Sequence, residues 1–297
     1  MRLINYRRDE HWNVGVERDG YVVNASLVVT ASSNDSLTMR SLLEHGPQTV
    51  EEVFKRSVHL FDAGYDGIMA LSSLELGPPV PDPDKIVCLG LNYRDHATEA
   101  ELPVPEVPVL FAKFRNALIG PQSPIALPRI SEAIDYEGEL AVIIGRRCKD
   151  ISAAHALEYV AGYAAFNDIS ARDLQIQTSQ WMAGKALDTF APMGPGIVPA
   201  SEISNPQDLW LSTWVNGERV QYAHTSEMIF SVAEAIAYIS SLMTLEPGDI
   251  IATGTPSGIG AKRTPPLFLK AGDIVEVEIE SIGRLRNTVI APPQTES

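Results

Sequence analysis

Two glutamates, Glu137 and Glu139, head an apolar run from Leu140 to Ile144, in the stretch Asp135-Tyr136-Glu137-Gly138-Glu139. The run reads as a buried strand, and on a strand residues i and i+2 share a face. Glu137 and Glu139, with Asp135 as a further candidate, would then project side by side into an interior poor in water. Like charges held that close either raise their pKa values or bind a cation. A hard divalent ion such as Mg²⁺ suits carboxylate oxygens, and Gly138 is a position where a ligand can approach the backbone. The competing reading is a solvated surface pair. The chain holds its own control: Glu276, Glu278 and Glu280 also alternate, with Val275, Val277 and Ile279 on the other face. That is the pattern of a half-exposed strand. Spacing alone leaves both readings open for Glu137 and Glu139.

Other residues point to chemistry of the same kind. His96 and Glu99 are three apart in Asn92-Tyr93-Arg94-Asp95-His96-Ala97-Thr98-Glu99. On a helix they share a face, and a histidine held by a carboxylate is a good general base; a surface helical pair is the alternative. Asp168 follows the apolar run Val160 to Phe166. It reads either as a third metal carboxylate at a strand end or as an N-cap. Arg172 and Gln175 would face one way on a helical turn. A guanidinium beside an amide suits recognition of a carboxylate or carbonyl, and a solvated polar face is the alternative. Lys185 lies in a Gly- and Pro-rich loop, where its amine would balance excess carboxylate charge or hold a substrate oxygen, unless it is simply solvated. The loop Thr253-Gly254-Thr255-Pro256-Ser257-Gly258-Ile259-Gly260 lacks the Lys-Ser/Thr pair and helix of a phosphate loop. A grip on a substrate carboxylate, through a threonine hydroxyl and backbone amides, fits it better.

These groups need a scaffold. The chain has 297 residues, 45% hydrophobic and 21% charged, enough for a substantial core in one large domain or two. Residues 1–80 read as a small N-terminal domain, with a hairpin turn at Asp19-Gly20 and a helix-prone stretch from Leu42 to Leu60. The proline-dense segment Gly77-Pro78-Pro79-Val80-Pro81-Asp82-Pro83 reads as a linker. Beyond it, Asn216-Gly217 marks a second hairpin. Ser231 and Glu234 form a capping box for a helix that buries Val232, Ala235, Ile236, Ile239, Leu242 and Met243 on one stripe.

The net charge of −15 argues against a nucleic-acid partner, and an anionic substrate would need positive charge supplied locally by its pocket. No apolar run is long enough to span a bilayer, and the N-terminus has no signal core. The two cysteines, Cys88 and Cys148, form no metal or redox motif. Cys88 reads as a buried thiol. Cys148 lies between Arg147 and Lys149, which would lower its pKa, although a bystander thiol is the simpler reading. A cytoplasmic protein is expected.

Taken together, the motifs resemble those of the fumarylacetoacetate hydrolase family, from about Lys85 to Ile290. The matching pieces are Gly90-Leu91-Asn92-Tyr93 with His96 and Glu99, Asp135 to Glu139, Asn167-Asp168 with Arg172-Asp173 and Gln175, Gly184-Lys185 with Asp188-Thr189-Phe190, and Thr253-Gly254-Thr255-Pro256. The resemblance implies a β-rich α+β fold with a mixed, rolled sheet, a catalytic domain over residues 85–292, and a homodimer. It implies Mg²⁺ or Mn²⁺ on Glu137, Glu139 and Asp168. It places His96 and Glu99 on a lid, with catalytic roles alongside Lys185, and Arg172, Gln175, Thr255 and Tyr93 against the substrate. The activity implied is hydrolysis of a carbon–carbon bond in a 2-oxo acid or 1,3-dicarbonyl compound of the acylpyruvate kind, through a stabilised enolate. Decarboxylation of a 2-oxo acid such as oxaloacetate, keto–enol isomerisation, or hydroxymuconate-type isomerisation would use the same residues. A non-catalytic binding protein is the reading from another class, and loss of a metal carboxylate or of His96 would have favoured it.

Overall fold

A computed structural model describes residues 1–8, 10–29 and 37–292. The fold is β-rich α+β, with mixed sheets. A 12-stranded sheet runs in the order Met69–Ala70, Tyr21–Asn24, His11–Arg18, Arg2–Arg8, Ala191–Pro199, Val160–Asn167, Gly138–Ile144, Ile250–Ala252, Ile86–Gly90, Val109–Lys113, with two further short strands paired off this path. A 5-stranded sheet, Glu218–His224, Trp210–Val215, Ile274–Ile279, Gly283–Ile290 and Ile125–Ala126, packs against it. Most pairs are antiparallel, but Ile250–Ala252 runs parallel to Ile86–Gly90.

Strand Gly138–Ile144 is buried along its whole length, as is its antiparallel neighbour Val160–Asn167. Both faces are covered: Ala141 and Ile143 enter one hydrophobic cluster, while Leu140, Val142 and Ile144 enter a second. That is why the segment is an unbroken apolar run rather than an alternating one. Strand Ile274–Ile279 alternates instead, with Val275, Val277 and Ile279 buried and Glu276 and Glu278 turned outward.

The N-terminal strands join the large sheet through the pairing of Leu3 with Ile197. The proline-dense segment is packed rather than loose: Gly77 N donates to Asn5 O at 2.9 Å, and Val80 is fully buried. The helix-prone stretch forms two helices, Met39–Glu44 and Pro47–Asp62, parted at Gly46, whose φ of 87° no other residue type adopts cheaply. Both hairpin turns carry positive φ at their two central residues, 52° and 83° at Asp19-Gly20 and 53° and 81° at Asn216-Gly217. Helix Val232–Leu242 has the expected reciprocal Ser231–Glu234 cap. Its buried stripe is Val232, Ala235, Ile236 and Ile239. Leu242 falls at the stripe's edge in the last turn and is 54% exposed.

Candidate metal centre and catalytic cavity

The register of the two central strands assembles the acidic cluster. Gly138 pairs with Asn167, so the head of one strand meets the end of the other. Asp168 N donates to Glu137 O at 2.8 Å, and Glu137 N donates to Asn167 Oδ1 at 3.1 Å. Glu137, Glu139 and Asp168 each present an oxygen, all within 4.8 Å of one another, and all three residues are buried. Asp135 stands apart. It accepts from Gly260 N (2.7 Å), Ala261 N (2.9 Å) and Arg172 Nε (2.9 Å), which clamps the glycine-rich loop. Gly138 makes room for protein rather than ligand: a Cβ there would lie 2.1 Å from Thr213 Oγ1 of the smaller sheet.

Two buried lysines and a part-buried arginine answer four buried carboxylates. Lys185 Nζ lies 2.6 Å from both Glu137 Oε2 and Asp168 Oδ2. Arg172 Nη1 lies 2.7 Å from Glu137 Oε1 and donates to Gln175 Oε1 at 3.0 Å. Lys113, which the sequence offers only as a basic group upstream of the acidic stretch, is the third. It donates to the carbonyls of Ile169 (2.9 Å) and Phe190 (2.7 Å), and also to that of Lys185. Its Nζ lies 2.7 Å from Asp168 Oδ1, but because its N–H groups are taken by the carbonyls, that oxygen receives an ion pair without an aligned hydrogen bond.

Charge is unevenly shared among the carboxylates. Burial alone would lift Glu137, but Arg172 and Lys185 outweigh it and hold the carboxyl well below its usual range. Glu139 has no cation at contact distance. It accepts one backbone hydrogen bond, from Gly254 N at 2.9 Å. Burial, then the charges of Asp168 and Glu137, push it well above the usual carboxylate range. A buried carboxylate lacking a counter-charge, next to a buried Asp168 oxygen with an open lone pair, is a donor set that a hard divalent cation satisfies. The residues present therefore fit Mg²⁺ or Mn²⁺.

The cluster opens into a cavity of about 410 Å³, lined by Glu137, Glu139, Arg172, Gln175, Lys185, Thr255 and His96. His96 and Glu99 lie on helix Arg94–Glu99, with Nδ1 3.3 Å from Glu99 Oε2. The other Glu99 oxygen accepts from Gly258 N at 2.9 Å, tying this helix to the glycine-rich loop. Thr255 lines the cavity, but its hydroxyl donates to Gly138 O (3.0 Å) and accepts from Gln221 Nε2 (2.8 Å). Tyr93 does not line the cavity. It is buried beside Leu89 and Leu140 in a hydrophobic cluster, and its hydroxyl has no partner. Trp181 and Phe111 form an apolar wall, their rings edge to face at 5.5 Å. Both cysteines are buried thiols. Burial, with Asp249 and Glu246 nearby, pushes Cys148 up to about 11, opposite to the direction its sequence neighbours suggest.

Among the described residues no helix is long and apolar enough to cross a membrane. A larger cavity, about 600 Å³, opens between the 127–134 and 266–271 segments, away from these groups.

A buried acidic centre and a histidine thus line one cavity of small-molecule size. Comparison with known proteins gives the family. The family model "Fumarylacetoacetate (FAA) hydrolase C-terminal" matches residues 85–290, and the chain belongs to the fumarylacetoacetate hydrolase family. It is 41% identical over 300 residues to the mitochondrial oxaloacetate tautomerase of Xenopus laevis, covering 98% of this chain and 90% of that protein. The structure resembles that of 5-carboxymethyl-2-hydroxymuconate delta-isomerase from Mycobacterium smegmatis (TM-score 0.76, 33% identity, 99% of this chain and 100% of that one). It also resembles maleylpyruvate hydrolase from Sphingobium sp. SYK-6 in complex with manganese(II) and pyruvate (TM-score 0.79, 29% identity, 99% and 100%).

Proposed function

We propose that the protein interconverts the keto and enol forms of a small 2-oxo acid, with oxaloacetate as the first candidate. One observation carries this reading. Among the described residues one histidine–carboxylate pair, His96 with Glu99, and one acidic centre share a cavity. Enolisation needs those two functions and no more. The likeness to an oxaloacetate tautomerase, which spans nearly the whole chain, supports the same choice over hydrolysis.

Each residue then has a task. Glu137, Glu139 and Asp168 would hold Mg²⁺ or Mn²⁺. When bound, the ion supplies Lewis acidity toward the substrate's carboxylate and 2-oxo oxygens. With Nδ1 committed to Glu99, His96 keeps Nε2 for proton transfer. In the keto-to-enol direction Nε2 takes the proton from the carbon beside the carbonyl. The C–H electron pair forms the carbon–carbon double bond, and the carbonyl pair moves to oxygen, which takes a proton from solvent while Nε2 gives its own back to solvent. In the reverse direction the same nitrogen returns the proton to carbon. Glu99 orients the ring and stabilises the imidazolium. Lys185 holds Glu137 and Asp168 in place, and the Arg172 Nη2 nitrogen, buried without a partner, is available to a substrate oxygen.

Hydrolysis of an acylpyruvate-like compound is the second reading. A cavity of about 410 Å³ with a Trp181–Phe111 wall exceeds the needs of a four-carbon acid, and the maleylpyruvate hydrolase shares the fold. The His96–Glu99 pair would then take its proton from water. The test is a side-by-side assay with Mg²⁺ or Mn²⁺. It follows decay of the oxaloacetate enol absorbance, pyruvate formed from oxaloacetate, and acid released from acylpyruvates. Enol decay far above the buffer rate, without matching pyruvate, is expected. Acylpyruvate cleavage with no acceleration of enol decay would replace tautomerisation by hydrolysis.

A further inference from the structure

Three lysine or arginine side chains line the catalytic cavity among the described residues: Arg172, Lys185 and Lys262. The first two are bound to buried carboxylates at 2.6–2.7 Å. Lys262 is different. Among the described residues its only ion pair is with Glu101, at 3.7 Å, and Glu101 is 87% exposed, so that contact is weak. Lys262 lines the cavity, and hydrogen bonds hold the chain on either side of it. The two preceding amides, Gly260 and Ala261, are fixed on Asp135 at 2.7 and 2.9 Å, and the next side chain, Arg263, donates to Val220 O at 2.8 Å. Lys262 is thus a cation on the cavity lining without a strong partner among the described residues. The chain as a whole carries a net charge of −15 and repels anions, so a doubly anionic substrate has particular need of such a group.

Building on the tautomerase reading, we propose that Lys262 is a specificity-determining residue that binds the distal carboxylate of a dicarboxylic 2-oxo acid. The acidic centre and Arg172 take the 2-oxo carboxylate end, and the opposite end reaches the cavity mouth. There its carboxylate displaces Glu101 from Lys262. The site therefore favours four-carbon and slightly longer 2-oxo diacids over monoacids of the same length. Lys262 touches no reacting atom, so it acts on binding rather than on proton transfer.

The test compares oxaloacetate with 2-oxobutanoate, which has a methyl group where oxaloacetate has its distal carboxylate. Binding of each to the Mn²⁺-loaded protein is measured by calorimetry, beside the steady-state tautomerase assay. Lys262→Met should weaken oxaloacetate binding about tenfold, the low end for a charge-assisted hydrogen bond at a part-exposed position. It should raise KM for oxaloacetate by the same factor, leave 2-oxobutanoate binding within twofold, and change kcat little. Lys262→Arg should restore most of the loss, and Lys55→Met, a substitution on an exposed helix face, serves as the charge control. Equal weakening of both ligands, or no weakening of oxaloacetate, would overturn the assignment. The binding arm does not depend on turnover. If the wild-type protein prefers the diacid through Lys262 but does not accelerate enol decay, the tautomerase reading fails and the recognition site stands.

Discussion

Two strands carry the same motif to opposite ends. Glu137 and Glu139 flank Gly138, and Glu276 and Glu278 flank Val277. The first pair is buried in the acidic centre; the second faces outward, with Arg284 Nη2 at 2.5 Å from Glu278 and Arg284 Nη1 at 3.6 Å from Glu276. Alternation does not decide the outcome, because both pairs alternate. The residues that continue the strand do. Leu140 to Ile144 is apolar at every position, so both faces are covered and no face is left for a solvated carboxylate. Val275, Val277 and Ile279 are apolar at every second position, so the other face meets water. A carboxylate pair that leads into a doubly covered strand must find cations or metal; one on a singly covered strand needs neither.

The contrast is tested most severely at the acidic centre. Glu137→Ala and Asp168→Ala should each abolish calorimetric Mn²⁺ binding. Turnover should fall by roughly 10³-fold or more, since Lewis-acid stabilisation amounts to several kcal/mol. Unchanged Mn²⁺ affinity in both variants would remove these residues from the coordination set.

The acid–base pair should come next. His96→Ala is expected to cut kcat by roughly 10²–10⁴-fold, the usual range for a positioned acid–base group, while Mn²⁺ affinity hardly changes. Glu99→Gln should act in the same direction. The double variant should be little worse than the worse single one, because the two residues act as a unit. Fully additive losses would break the pair into independent contributors.

A stability measurement sharpens the comparison without any turnover. Glu139 is the carboxylate of the centre with no cation beside it. In EDTA near neutral pH, Glu139→Gln should therefore raise the melting temperature, because the wild-type carboxyl must either be buried charged or take up a proton on folding, a cost that a neutral amide of the same shape avoids. With saturating Mn²⁺ the order should invert, since the variant loses the stabilisation that a bound ion gives. A variant less stable than wild type in EDTA would mean that Glu139 is already compensated.

Much of this site was legible in the sequence, and what was not has a common cause. Local spacing reveals which face a side chain takes. It therefore exposed the Glu137–Glu139 pair, the His96–Glu99 pair, both hairpins and the Ser231 cap, each of which depends on residues within a few positions. It could not show partners brought in from afar. Lys113 reads as one lysine in Lys113-Phe114-Arg115, and only the fold carries it to Asp168. Gln221 braces Thr255 from the other sheet, and Leu3 finds Ile197 across most of the chain. Tyr93 shows the converse. It travelled with a motif that does line the cavity, but its own ring turns into the core. The apolar character of Lys113's surroundings was the one available signal: Val109, Leu110, Phe111 and Ala112 precede it as a strand, and a lysine ending such a run is buried or flanks a site.

The smallest expected effect closes the comparison from the other side. Replacing Glu276, Glu278 and Glu280 together with Gln should leave kcat and Mn²⁺ affinity within a few-fold of wild type. The reason is geometric. Glu276 and Glu278 lie on the outward face of their strand and touch Arg284 and Arg286 there, while Glu280 accepts from Trp210 N at 3.1 Å, a bond that Gln keeps. Exposed ion pairs of this kind contribute about 0–1 kcal/mol each, so the melting temperature should drop only slightly, and less at high salt, where the wild-type pairs are already screened. A loss of Mn²⁺ binding in this triple variant would mean that charge on the outer strand is felt at the buried centre. The distinction between the two strands would then be one of degree, with the acidic surface as a whole helping to draw the cation in.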